Sequence, residues 1–236
     1  MNKKYLCIIP ARAGSKAIKN KNFIKVNNKL LIQYSIDTAI KLKKYCDIIV
    51  SSDSKKIIKI LKNNNLHFTG LRPKNLSKDS STTYDVVKYE LFKKEKEIKQ
   101  KYKGILLLQP TCPIRDTNKI IHAFKILKNR NYDSLISVTN VNAYNPERMK
   151  KFRNKYIINY LNTKKENMKP RQDLPKVYIR SGSIYLIKRE SLLRYRSLVG
   201  KKCYGMILEG IESINLDTQD DLILLKHKLK NETHLS

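Results

Sequence analysis

The sequence has no tryptophan, and in 236 residues it has only four cysteines, four histidines, seven glycines and seven prolines. Each shortage excludes something. Cys7, Cys46, Cys112 and Cys203 stand too far apart for a C-x-x-C pair, so neither a zinc site nor a disulfide framework is expected, and free thiols fit a reducing compartment. His67, His122, His227 and His234 are isolated from any triad or metal pattern, and none is expected to be catalytic. No run of about 18 apolar residues occurs, which argues against a membrane span. Lys3-Lys4 lead straight into a four-residue apolar run and Pro10, too short for a signal peptide, so a cytoplasmic location is expected. No internal repeat or low-complexity linker interrupts the chain.

Acid is the other scarcity. Asp and Glu number 20 against 50 Lys and Arg, a formal charge of +30. A balance this basic raises the prospect of a nucleic-acid partner. The lysines, however, are spread along the whole chain and form no basic arm, and no RNA- or DNA-binding motif accompanies them. A solvated lysine-rich surface is the better reading, and an anionic substrate is compatible with it. Ile, Lys and Asn together supply 88 residues, a bias that points to an AT-rich coding sequence.

What is present is a regular alternation. Leu6-Cys7-Ile8-Ile9, Ile48-Ile49-Val50, Ile105 to Leu108 and Leu135 to Val138 are apolar runs of strand length. Between them lie helix-period segments: about 31–43, a stretch through Ile57, Ile58 and Leu61, about 83–96 with Val86, Val87, Leu91 and Phe92 inward, and a helix capped by Asp116-Thr117. Strand–helix repetition at this spacing predicts βαβ units in one α/β domain spanning 1–236, with a mainly parallel sheet. Ligands gather at the carboxyl ends of such strands, so the segments after Ile9, Val50 and Leu108 are the places to inspect. From about 141 to 175 the pattern lapses into Asn, Tyr, Lys and Pro, an excursion from the sheet. Tyr185-Leu186-Ile187, Met206-Ile207-Leu208 and Ile214-Asn215-Leu216 are expected as short strands. Leu222, Leu225 and Leu229 mark a last helix, with 231–236 a frayed tail.

The stretch 10–22 after the first strand holds small residues, one glycine and four cations. Small residues let backbone N–H groups approach an anion, Arg12 offers a fork for phosphate oxygens, and Lys21 a point charge. It is neither a Walker A loop nor G-x-G-x-x-G. On physics alone, an anion site and a basic surface loop are equally good accounts of it.

Seven segments in order resemble one family, the acylneuraminate cytidylyltransferases. They are Ile9 to Lys16 with Lys21-Asn22; Ile49 to Asp53; Leu71-Arg72-Pro73 with Asp79; Leu107 to Arg115, similar to LLQPTSPLR; Pro170 to Pro175, similar to RQxLP; Ser181 to Tyr185, similar to NGAIY; and Ser213 to Thr218, similar to SIDIDT. The resemblance implies a Rossmann-like three-layer fold of the nucleotide-diphospho-sugar transferase type. It implies transfer of CMP from CTP to a nonulosonic acid, with loss of pyrophosphate. On this resemblance Ala11, Arg12, Ser15, Lys21, Asn22, Arg72 and Asp79 bind the nucleotide. Arg12, Lys21 and Asp217 carry the catalysis. Gln109, Arg171, Gln172, Ser181 and Tyr185 face the sugar, with Arg171 the partner for its carboxylate. Asp217 and Asn215 hold Mg²⁺, with Mn²⁺ as the alternative. The 141–175 excursion becomes a dimerisation arm that completes the neighbouring sugar pocket.

Each residue also has a plainer account. Asp217 with Thr218 and Asp221 is a natural helix cap. Tyr185 alternates with core positions. Arg115 beside Asp116 reads as a surface ion pair of little consequence. The sequence departs from the family pattern at Ala17 for Gly, Cys112 for Ser, Asn215 for Asp and Ser181 for Asn. Cys112 for Ser is near-isosteric, while Ser181 leaves legionaminic acid, pseudaminic acid or, least favoured, Kdo as alternative sugars. Ala17, Asn215 and Ser181 together leave a catalytically silent relative as an alternative. A basic nucleic-acid-binding protein is the competing class.

Overall fold

In the computed structural model, residues 5–14, 18–129, 131–141, 144–163 and 167–233 are described. The strands are β1 (Tyr5–Pro10), β2 (Lys25–Val26), β3 (Lys29–Leu30), β4 (Cys46–Ser51), β5 (Gly104–Leu107), β6 (Ser134–Asn140), β7 (Lys150–Arg153), β8 (Tyr156–Asn159), β9 (Tyr178–Lys188) and β10 (Cys203–Ile207). The helices are α1 (Leu31–Lys41), α2 (Lys56–Asn63), α3 (Thr83–Ile98), α4 (Thr117–Asn129), α5 (Arg189–Tyr195) and α6 (Gln219–Thr233).

Six strands make one sheet in the order β10-β6-β9-β5-β1-β4. β1 runs parallel to β4 and β5, and β10 parallel to β6. β9 is antiparallel to both its neighbours. The sheet is therefore mainly parallel, and its buried strands read as continuous apolar runs because both faces are covered. Leu6, Ile8, Ile49, Ile105 and Leu107 point to one face, where Val87 and Leu91 of α3 and Leu192 of α5 pack on them. Their neighbours Cys7, Ile9, Val50, Leu106 and Leu108 point to the other, against Ile36 of α1, Leu61 of α2 and Phe124 of α4. The result is the three-layer α/β architecture expected.

Four local expectations change. Phe92 is 41% exposed, and the buried stripe of α3 is Val86, Val87, Glu90, Leu91 and Glu95. Two acids occupy stripe positions, which hides the stripe from an apolar count. Ile214 and Leu216 are buried without forming a strand: they follow a 3-10 turn at Gly210–Ser213 and join Ile18, Val26, Leu31 and Leu225 in a separate small core. α5 was not foreseen, because it begins directly where β9 ends and is only 7 residues long. The tail stays helical through Thr233, and 234–236 lie outside the described residues.

The excursion after β6 contains a 3-10 turn at Pro146–Arg148 and the antiparallel β7–β8 hairpin. β9 returns from it to the sheet. Its register against β6 breaks between Ile136 and Val138, so that Ser181-Gly182-Ser183 bulge out. The Ser137 hydroxyl fills the gap: it accepts from the Ile184 N–H at 2.8 Å and from the Ser181 hydroxyl at 2.6 Å.

Candidate nucleotide-binding site

β5, β1 and β4 are adjacent and parallel, so their carboxyl ends open on one rim. The segments after Ile9 and Leu108 line a cavity of about 340 Å³ there, whereas the segment after Val50 stays behind its wall, where Ser51 holds Arg72 and Asp53 holds the Ala13 N–H. Arg12, Lys21 and Asn22 come from the loop after β1, Arg72, Lys78 and Asp79 from the crossover after α2, and Gln109 and Thr111 from the loop after β5. Four cations against one acid on this lining favour an anionic ligand, and the volume suits a small molecule.

The loop after β1 is fixed by short polar contacts. The Ala11 N–H donates to Ser51 O at 2.8 Å, and its methyl is buried in the core. Ala11 therefore supports the loop and offers no N–H to a ligand. The Ala13 N–H donates to Asp53 Oδ1 at 2.8 Å, and Asn22 Nδ2 donates to Arg12 O at 2.9 Å. Asn20 takes the left-handed conformation, φ 55°, that asparagine tolerates, and starts the turn that presents Lys21. Ser15, and the departure at Ala17, lie outside the described residues.

Arg12 pairs with Asp79 at 2.6 Å, both side chains partly exposed. An incoming phosphate would compete for the same fork. Arg72 is buried; its Nε donates to Ser51 Oγ at 2.9 Å and its Nη2 to Ser51 O at 2.6 Å. Burial lowers its pKa, while Asp53 and Glu90 work to keep it charged. Asp53 was not singled out as a site residue, although the segment that carries it was.

Lys21 Nζ donates to Leu216 O at 2.6 Å and to Asp217 Oδ1 at 2.9 Å, joining the first and last of the matched segments. The capping account of Asp217 fails. Thr218 and Asp221 form a reciprocal capping box for α6: Asp221 Oδ2 accepts from the Thr218 N–H at 2.7 Å, and the Asp221 N–H donates to Thr218 Oγ1 at 3.2 Å. The Asp217 carboxylate is left for Lys21, and its side chain is 62% exposed.

Asn215 does not present its oxygen alongside Asp217. Its Nδ2 donates to Asp217 Oδ2 at 2.5 Å, and its Oδ1 faces the Cys112 thiol at 3.4 Å. Two oxygens could not share so short a contact with a carboxylate, so the amide orientation follows from the geometry. Among the described residues, no three His, Cys, Asp or Glu side chains cluster to hold a metal. Asp217 alone fits, because Mg²⁺ commonly takes one or two carboxylates and draws its other oxygens from phosphates and water.

The sugar-facing residues divide. Gln109 lines the cavity, and its Oε1 lies 2.8 Å from where a Cβ on Gly182 would sit. Gly182, at φ 84°, is thus required by both conformation and space. Ser181 and Tyr185 do not line the cavity: Ser181 is spent on the bulge, and Tyr185 is 7% exposed, packed in the core among Ile136 and Ile187. Arg171 and Gln172 line a different pocket, of about 490 Å³, with Asn140, Asn145 and Lys176.

Arg115 is no surface ion pair. It donates to Ser183 O at 2.8 Å, Ser35 Oγ at 2.9 Å and Gln109 O at 2.5 Å, all neutral, and desolvation lowers its pKa to about 10. It ties the Gln109 loop to β9 and α1. Three departures from the family pattern also meet at one thiol. Cys112 Sγ donates to Ser181 O at 3.0 Å and contacts Asn215. No spacing in the sequence could have shown that these positions touch.

Residues 6–227 match the cytidylyltransferase family. Among curated proteins, the chain is 30% identical over 230 residues to post-translational flagellin modification protein B of Campylobacter coli, covering 96% of this chain and 95% of that one. It is 31% identical over 223 residues to the N-acylneuraminate cytidylyltransferase of Streptococcus agalactiae, covering 93% of this chain but 52% of the relative, so it spans about half that protein's length. Among solved structures, CMP:2-keto-3-deoxy-manno-octonic acid synthetase complexed with CTP superposes with a TM-score of 0.67 over 97% of this chain and 99% of that one, at 15% identity, a likeness of fold. With its motifs in order and its strand ends around a cationic cleft, the chain belongs to the cytidylyltransferase family.

Proposed function

We propose that the chain transfers CMP from CTP to N-acetylneuraminic acid or a close nonulosonic relative, releasing pyrophosphate. The observation that carries this reading is the Lys21 bridge to Leu216 O and Asp217 beside a cleft lined by Arg12, Arg72 and Lys78. It sets cations beside a solvent-exposed carboxylate, held by Lys21 and Asn215, and a triphosphate with a metal ion calls on both kinds of group.

In the reaction, the anomeric oxygen of the sugar forms a bond to the α-phosphorus. The bond from that phosphorus to the bridging oxygen breaks, pyrophosphate leaves, and the hydroxyl proton passes to water. Arg12, released from Asp79, and Lys21 offset the charge that builds on the phosphates. Gln109, held by Gly182 and the Arg115-bound loop, orients the acceptor. A Mg²⁺ ion, with Mn²⁺ the alternative, would be held by Asp217 and would neutralise charge on the triphosphate and leaving group.

Arg171 and Gln172 sit away from this cleft, in the arm. Its side chains are exposed and apolar: Phe152 at 77%, Tyr156 at 76%, Ile157 at 62%. An isolated two-stranded ribbon is marginal in water, and patches of this kind mark interfaces. These features support a homodimer in which the arm reaches the partner's sugar pocket, with Arg171 meeting the carboxylate there. Four free cysteines fit a cytoplasmic setting.

The test is pyrophosphate release from CTP and Mg²⁺ with N-acetylneuraminic, legionaminic and pseudaminic acids and Kdo, with ATP, GTP and UTP as controls. Release with CTP and one sugar is expected. CTP binding with no release for any sugar would favour a silent relative, and no CTP binding would overturn the reading.

A further inference from the structure

Glu90 is 1% exposed and stands in the apolar stripe of α3, between Val87 and Leu91. Burying a carboxylate there is costly unless something nearby repays it. Its Oε1 accepts from Ser51 Oγ at 2.6 Å, while its Oε2 is buried without a hydrogen-bond partner. The Ser51 hydroxyl in turn accepts from Arg72 Nε at 2.9 Å, and Ser51 O accepts from Arg72 Nη2 at 2.6 Å. Glu90, Ser51 and Arg72 thus form a chain from the buried stripe of α3, through the end of β4, to the wall of the nucleotide cleft.

We propose that Glu90 is a positioning residue for nucleotide selection, acting through Ser51 to lock the guanidinium of Arg72. The proposal rests on the reading of this cleft as the CTP site. Ser51 has one hydroxyl proton. By taking it, Glu90 turns the oxygen's lone pair to Arg72, which fixes the guanidinium plane from both Nε and Nη2. Arg72 lines the cleft, and its remaining N–H groups can act there as donors only. A fixed donor fork suits cytosine, whose O2 and N3 both accept. It suits uracil less, because uracil N3 carries a hydrogen. The buried charge of Glu90 also keeps Arg72 protonated where burial opposes this.

Glu90→Gln keeps an oxygen for Ser51 and removes the charge. Ser51→Ala removes the hydroxyl and keeps the charge. Both variants should raise the KM for CTP about tenfold and narrow the preference for CTP over UTP by a similar factor, with kcat falling far less. Thermal unfolding of both is measured alongside. A lowered Tm with an unchanged CTP-to-UTP ratio would make Glu90 a merely structural counter-charge and would overturn the proposal. Should Glu90→Gln fail to fold, the Ser51→Ala ratio decides alone. A parent protein that binds no CTP would refute the site reading itself, an outcome distinct from a parent that selects CTP and variants that select it equally well.

Discussion

At the scale of single residues, the site is organised by which polar groups are already occupied. Asp217 is free of the helix cap, so Asp217→Ala should cut metal-dependent turnover at least about a hundredfold while leaving Tm within about 2 °C. Steady-state rates and a thermal melt check both halves, and near-normal turnover would remove Asp217 from the site. Cys112 gives a second prediction. Burial raises its thiol to about 11 against an unperturbed 9.0, with Arg115 opposing. The folded pKa lies above the unfolded one, so the unfolded chain loses this proton first as pH rises. The contribution is whole below pH 9 and is lost as the pH climbs toward 11. Cys112→Ser retains a donor for Ser181 O and does not titrate there. Between pH 8 and 10.5 the wild type should therefore lose about 2 kcal/mol more unfolding free energy than the variant, read by urea denaturation at each pH. Equal losses would show that the thiol is solvated.

At the scale of elements, the site depends on how α6 begins. Asp221 is held below the usual carboxylate range. Desolvation raises it, but hydrogen bonds from the Asp217 and Thr218 N–H groups and the Thr218 hydroxyl outweigh that effect. Its folded pKa is depressed, so the cap is intact above an unfolded pKa of 3.8 and is lost only as pH falls through the lower folded value. Thr218→Ala should cost about 1 kcal/mol and loosen the segment that holds Asp217 against Lys21. The expected signature is a weaker apparent metal affinity with the CTP KM unchanged, and an unaltered metal titration would count against this coupling. The sequence made much of this legible. Apolar runs bounded by Pro10, Ser51 and Pro110 located β1, β4 and β5, and Thr218 with Asp221 was visible as a capping pattern. What stayed hidden required contacts across the chain. Tyr185 and Ser181 belong to a β9 whose bulge is set by Ser137 of another strand. Glu90 and Glu95 occupy core positions that no hydrophobic pattern reveals. Arg115 looked paired with Asp116, yet folding turns it inward to Gln109, Ser35 and Ser183.

At the scale of the whole molecule, two surface features demand different explanations. The charge of +30 is dispersed, and screening at physiological salt leaves it a diffuse field that draws anionic substrates without specifying one. The apolar patch is local. Tyr144, Phe152, Tyr156, Ile157, Met168 and Ile179 are all more than half exposed, and all lie on the arm or on the start of β9 that returns from it. A hairpin exposed on both faces gains little from burial within its own chain, and a partner surface is what would stabilise it. In the proposed homodimer a second copy would supply that surface, a two-fold contact setting each arm on its equivalent. Phe152→Asp with Tyr156→Asp places two charges in that contact and touches neither the sheet nor the CTP cleft. Sedimentation of the parent at micromolar concentration should give a dimer, and the double variant a monomer that still binds CTP. If the arm completes the partner's sugar pocket, the variant should lose turnover and sugar affinity together while its CTP affinity stays within about twofold. A monomeric variant with full turnover would confine the arm to assembly, and a monomeric parent would remove the dimer altogether.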